Sequence, residues 1–202
     1  MALNAFLPDN NANGFATAIA VGGLSGSISH VTVSLDITGG FNGDLYAFLV
    51  GPNGGFAVLL NRTGLSAGNA FGYSDSGFNI TLSDAAANGN IHTYQSVPGY
   101  ATLISNGSIW APDGRNIDPQ SSGSVFDSAL ATATLSSFVG NAPNGMWNLF
   151  IADLSPAGQS TLVSVGLNII TVPEPQTGVL LGLAALFGIY GLRNKFRRPN
   201  CG

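Results

Sequence analysis

Residues Ser27 to Val50 read SISHVTVSLDITGGFNGDLYAFLV, and this stretch decides the fold class. From Ser27 to Thr38, apolar Ile28, Val31, Val33, Leu35 and Ile37 are interleaved with polar Thr32, Ser34, Asp36 and Thr38. Successive side chains on a strand point to opposite faces, so a period of two predicts a strand with one face in a core and one in water. Gly39, Gly40, Asn42 and Gly43 supply a turn, and Asp44–Val50 follows as a more continuously apolar, more deeply buried strand.

The same alternation of strand and turn continues outward. Gly51-Pro52-Asn53-Gly54-Gly55 turns the chain again and Phe56–Leu60 returns. Further strands are predicted at Phe15–Val21, Phe78–Leu82, Trp147–Ala152 and Thr161–Ile170. No stretch before residue 172 sustains a helical period, although Asp127–Phe138 has room for a short helical turn. The region from Asn88 to Gln120 is loop-rich, and its pattern assigns no element. With 28 glycines among 202 residues and short strands between turns, the expected body is an all-β sandwich or barrel built on one core.

Charge is sparse and unevenly placed. The first 172 residues hold nine Asp, no Glu, no Lys and two basic residues, Arg62 and Arg115, an acidic excess of seven. A body of this kind has nothing with which to neutralise phosphates, which excludes a nucleic-acid-binding role. The sign reverses after residue 192, where Arg193, Lys195, Arg197 and Arg198 cluster. The single cysteine, Cys201, has no partner in the chain, so there is no internal disulfide framework, and the last four residues do not fit a prenylation box.

Between body and basic cluster lies GVLLGLAALFGIYGL, Gly178–Leu192, fifteen residues without a charge. As a helix this run is about 23 Å long at about 1.5 Å per residue, against a hydrocarbon core of about 30 Å. Extension from Gln176 and Thr177, and snorkelling by Arg193 and Lys195, bring it within reach of a thin or tilted span. It is apolar all round, unlike the helix of a soluble core, and the expected membrane helix covers residues 177–192. By the positive-inside rule the basic end stays cytoplasmic and the body is exported.

Immediately before this segment stand Val172, Pro173, Glu174 and Pro175. Pro-Glu-Pro, hydrophobic helix and Arg-rich end, in that order, resemble the PEP-CTERM sorting signal of bacteria. The resemblance implies recognition and cleavage near Pro-Glu-Pro by an exosortase, passage through the inner membrane, and delivery to the cell surface or the exopolysaccharide matrix. Two prolines keep the segment extended, a form that a processing enzyme can hold. Export calls for a leader, and Met1–Asn13 has neither a basic start nor an apolar stretch of the usual length, so the expectation is that the natural start lies upstream.

The body carries a second resemblance. Gly43-Asp44-Leu45 after the first turn, Gly51-Pro52-Asn53-Gly54 in the next hairpin and a late Gly145-Met146-Trp147-Asn148-Leu149 are similar to the marks of the proprotein-convertase P domain, also called P/Homo B. Gly39-Gly40 and Val165 depart from it, where family members often have His-Thr and Trp. The resemblance implies a jelly-roll-like β-sandwich over residues 1–171, ahead of a sorting tail over 172–202. It implies a non-catalytic domain acting by contact, or alternatively an accessory domain that assists a protease in trans. Some P domains carry calcium, and Asp75, Asp84, Asp113, Asp118 and Asp153 fall in or near loops where a hard cation finds oxygen ligands. Turn capping is the alternative role for each, no EF-hand spacing is present, and no ligand set emerges.

Catalytic patterns are few. Gly64-Leu65-Ser66-Ala67-Gly68 fits the G-x-S-x-G string and is followed by Asp84 and His92 in hydrolase order. A nucleophile elbow needs a strand before the serine and a helix after it, and a Gly-rich loop stands here instead. His30 and His92 are the only imidazoles, so zinc and thiol chemistry have no ligand set, and the expectation is no enzyme. Phe41, Tyr46, Phe71, Tyr73, Tyr94, Tyr100 and Trp110 are candidates for a sugar-binding face, with core packing as the alternative. Asp44, at the start of a buried strand, is expected to meet backbone donors and hold the turn Gly39–Gly43.

Overall fold

The structure, a computed structural model, describes residues 1–173. Glu174, Pro175, the expected membrane helix over 177–192 and the basic residues Arg193, Lys195, Arg197 and Arg198 lie outside the described residues. Among the described residues no helix is long and apolar enough to cross a membrane.

Strands β1 (Ala2–Phe6), β2 (Phe15–Val21), β3 (Ser27–Gly39), β4 (Leu45–Val50), β5 (Phe56–Asn61), β6 (Phe78–Leu82), β7 (Ile109–Trp110), β8 (Gly145–Asp153) and β9 (Ser160–Val172) form the body. They assemble into a five-stranded sheet in the order β1-β9-β3-β6-β7 and a four-stranded sheet in the order β2-β8-β4-β5. Every pairing is antiparallel except β6 with β7. Among the described residues, helical structure is confined to α1 (Tyr100–Leu103), α2 (Gly123–Ser128) and 3-10 turns at Asn42–Asp44, Ile91–Ser96 and Leu135–Phe138.

The inward residues of both sheets make one core. Val31, Val33, Leu35 and Ile37 of β3 meet Leu45, Ala47 and Leu49 of β4 and Trp147, Leu149 and Ile151 of β8 in a single buried cluster. Trp110, Tyr94 and Phe78 close one flank of it, and Phe138 packs on Trp147 with ring centroids 4.8 Å apart. Both indoles keep a hydrogen-bond partner in this apolar setting, Trp147 donating to the Pro143 carbonyl at 2.9 Å and Trp110 to that of Leu103 at 3.4 Å.

β3 and β9 run side by side from Ser27–Val172 at one end to Gly39–Ser160 at the other. Their alternation is not perfect, and the breaks have a cause. Ile28 is buried out of phase with Val31, because the register steps between Ile28 and His30 and leaves Ser29 as an extra residue. On β9, Leu162 and Val165 are out of phase for the same reason, a step opposite Asp36 and Ile37. A bulge inserts one residue and flips every later side chain to the other face.

The expected strands are present, with ends shifted by a few residues. Two further strands, β1 and β7, have no alternating signal to announce them. β1 is an edge strand whose ladder to β9 runs through Ala2, Ala5 and Phe6; Phe6 is 70% exposed, while Leu7, just beyond the strand, is fully buried. β7 is two residues long.

Candidate functional site

Of the sorting residues, Val172 and Pro173 are among the described ones, and they lie at the β3/β9 end marked by Ser27. Val172, half-exposed, is the last residue of β9 and pairs with Ser27; Pro173 follows outside the strand. Proline has no backbone N–H and cannot continue the ladder, so the extended chain leaves the sheet at the start of the Pro-Glu-Pro sequence.

Ser66 and His92 line a common cavity of about 340 Å³ together with Arg115, Phe126 and Asp127. The imidazole is committed elsewhere. His92 Nδ1 lies 2.7 Å from Asp113 Oδ2, Nε2 lies 3.1 Å from the Leu65 carbonyl oxygen, and the ring stacks on Phe126 at 5.7 Å. A carbonyl oxygen only accepts, so Nε2 is the donor in that contact and has no lone pair to offer Ser66. Asp113 is fully buried and also accepts from the Asn61 backbone N–H at 3.2 Å and from Arg115 Nη1 at 3.2 Å. The group clasps three loops together. Asp84, the carboxylate that the hydrolase order pairs with His92, instead accepts from the backbone N–H groups of Leu135 and Ser136 at 3.1 and 2.6 Å. Ser66 sits in a tight turn closed by its own N–H on the Asn69 carbonyl at 2.9 Å, without the strand and helix of an elbow.

The remaining loop carboxylates serve local structure. Asp75 accepts from the Tyr94 hydroxyl at 2.8 Å and from Gln95 Nε2 at 2.6 Å, and Asp118 accepts from the Gln120 N–H at 2.9 Å. Burial pushes the Tyr94 phenol well above its ordinary range. Among the described residues no three His, Cys, Asp or Glu side chains converge as a metal would need.

At the Gly39–Ser160 end of the sheet, the turn after β3, the loop Asn69–Asp75 and the loop after β8 meet around a cleft of about 320 Å³. Phe41, Phe71 and Tyr73 line it with Pro156, and Asp44 and Ser155 supply polar atoms. The loop that carries Phe71 is held by backbone: Gly43 N–H donates to Tyr73 O at 2.8 Å, Tyr73 N–H to Thr63 O at 2.9 Å, and Asn42 N–H to Asp75 O at 2.9 Å. Gly72 adopts φ +74°, and a Cβ there would stand 2.6 Å from Thr63 O and 2.8 Å from Gly43 Cα. Only glycine lets the two loops touch in this way.

Asp44 is mostly buried and faces Arg62 Nη2 at 3.7 Å. Burial raises its carboxyl above the usual range, while Ser155 and Arg62 pull it back. The turn itself is held by Arg62, whose Nε donates to Gly43 O at 2.7 Å, rather than by backbone donors to Asp44 as the sequence suggests. Asp153, on the neighbouring strand, is fully buried; Ser160 Oγ donates to its Oδ2 at 3.0 Å and Oδ1 has no partner. Burial, with Asp44 and Asp9 nearby, pushes the Asp153 carboxyl up to about 6.

Of the aromatic residues read from the sequence, Tyr94 and Trp110 are core, and Tyr46 lies on the outer face of the four-stranded sheet beside Phe48 and Phe150. Phe41, Phe71 and Tyr73 are brought together. The sequence could not place Ser155 and Pro156 beside them, since these lie more than 80 residues further along the chain.

A family model described as the PEP-CTERM protein-sorting motif matches residues 171–198. No curated protein matches the chain. Among solved structures, a crystal structure of the Aeromonas sobria serine protease in complex with the chaperone ORF2 is similar at 13% identity and a TM-score of 0.44. A crystal structure of that serine protease is similar at 12% identity and a TM-score of 0.43. Each match covers 84% of this chain and 25% of that one, so the chain spans about a quarter of their length.

Proposed function

We propose that this chain is an exported, non-catalytic bacterial protein whose β-sandwich is sorted by an exosortase and works by contact at the cell surface or in the exopolysaccharide matrix. The observation that carries the reading is the sorting motif over residues 171–198, which begins on the last two residues of β9. Val172, Pro173, Glu174 and Pro175 are the processing segment, 177–192 is the membrane helix, and Arg193, Lys195, Arg197 and Arg198 hold its cytoplasmic end. The body is a jelly-roll-like sandwich of P-domain type.

Absence of catalysis is supported by the geometry at Ser66. Its neighbour His92 is tied to Asp113 and to the Leu65 carbonyl, so this imidazole is not poised to take the serine proton. Ser66→Ala is expected to leave every surface phenotype unchanged and Ser66 to stay unlabelled by a fluorophosphonate probe. Labelling lost in the variant would establish a hydrolase.

The sorting reading is tested by intact mass and fractionation of the protein expressed with a leader in an exosortase-containing bacterium. Release of a form ending near Pro173–Pro175, abolished by deleting the exosortase, is the expected result. Full-length product that stays in the membrane in both strains would leave a tail-anchored protein and remove the exosortase from the account.

A further inference from the structure

Phe71 is 82% exposed and Phe41 40% exposed, yet both sit on backbone that is tightly tied down. An exposed ring on a loose loop needs no explanation. An exposed ring on a loop closed by glycine-to-glycine backbone contact is held in water at a fixed position, beside a second ring and a carboxylate. Rigid aromatics of this kind bind with little loss of conformational entropy.

The lining selects the ligand. Three rings and a proline face one carboxylate and two serine hydroxyls, so the cleft offers apolar faces and a single strong acceptor. A pyranose needs several hydrogen-bond partners for its hydroxyls. A long side chain with an apolar stem and a charged head needs what is here. The charges agree: Asp44 has Asp9 and Asp153 as acidic neighbours, and Arg62, the one basic group beside them among the described residues, faces Asp44 from the buried side at 3.7 Å and is not among the lining residues. Over residues 1–172 the acidic excess is seven, which draws cations towards the whole body.

We infer that this cleft binds an arginine side chain presented by a protein partner, the guanidinium resting on the aromatic faces with its N–H groups directed at Asp44. Planar guanidinium stacks on rings and is less strongly hydrated than an ammonium, which favours arginine over lysine. The inference rests on the contact role proposed above, but not on sorting, and it is read on purified protein, so its failure and the failure of processing are separate results.

The test uses the full-length chain in a polyoxyethylene detergent and a fluorescein-labelled tetra-arginine amide, followed by anisotropy. Phe71→Ala removes an exposed ring and no charge, and thermal denaturation is expected to show an unchanged fold. Binding is expected to weaken about three- to tenfold in Phe71→Ala and again in Phe41→Ala, and by at least as much in Asp44→Asn. Tetralysine amide is expected to bind more weakly than tetra-arginine. Equal binding by wild type and Phe71→Ala would mean general attraction to an acidic surface and would overturn the inference. So would Phe71-dependent binding of a neutral oligosaccharide without binding of the peptide, which would make the cleft a glycan site.

Discussion

The Asp153 carboxyl has one partner, the Ser160 hydroxyl, and one buried oxygen with none. An unfolded Asp titrates near 3.8 and burial pushes this one up to about 6, so between those values the folded state holds more protons than the unfolded state. Stability is therefore fully present below the lower value and lost as pH rises through the upper one, by on the order of 2–3 kcal/mol. Urea unfolding of the full chain in detergent is expected to show Asp153→Asn gaining on wild type between pH 4 and pH 7. A constant difference across that range would mean that the carboxyl is ionised throughout. The Asp113 carboxylate, by contrast, is well supplied with donors. Asp113→Asn or His92→Phe is expected to destabilise by about 3–5 kcal/mol, since either change strands a buried polar partner. Neither residue's role was legible in the chain. Sequence order paired His92 with Asp84, whereas distance in space pairs it with Asp113, and only a fold brings residues 61, 92 and 113 together.

β3 shows what a period of two can and cannot reveal. The alternation of Val31, Val33, Leu35 and Ile37 was enough to place a half-buried strand, because every second side chain enters the core. The bulge at Ser29 was visible as Ile28 standing out of phase, a signal that reads as noise until the partner strand is known. β1 and β7 left no trace because an edge strand and a two-residue strand bury too little to be patterned. Glycine-rich loops gave turns but not their meeting points, so the cleft between Gly43 and Gly72 was out of reach. Leu35→Ala, at the centre of β3, is expected to cost about 2–5 kcal/mol in a urea titration. Ile170→Ala, on the half-exposed end of β9, is expected to stay within about 1 kcal/mol, and a larger loss there would mean that its outer face is covered.

For the whole molecule, the two features most legible in the sequence were the all-β body and the sorting tail, since both are written in local patterns of hydropathy and turns. The cleft proposed as a binding site was not, since it depends on which loops the topology gathers at one end. Those loops define two poles. The aromatic cleft lies where β3 and β9 begin their pairing at Gly39 and Ser160, and the sorting segment leaves where it ends at Ser27 and Val172. Between the poles run thirteen residues of β9, about 40 Å at about 3.3 Å per residue. If the protein is held at its tail and gripped at its cleft, tension runs along the strands. Antiparallel ladder bonds lie perpendicular to their strands, so such a pull shears many of them at once instead of unzipping them singly. Under the contact role proposed above, the central strand pair would then act as a mechanical clamp, loaded in shear where a hairpin would peel.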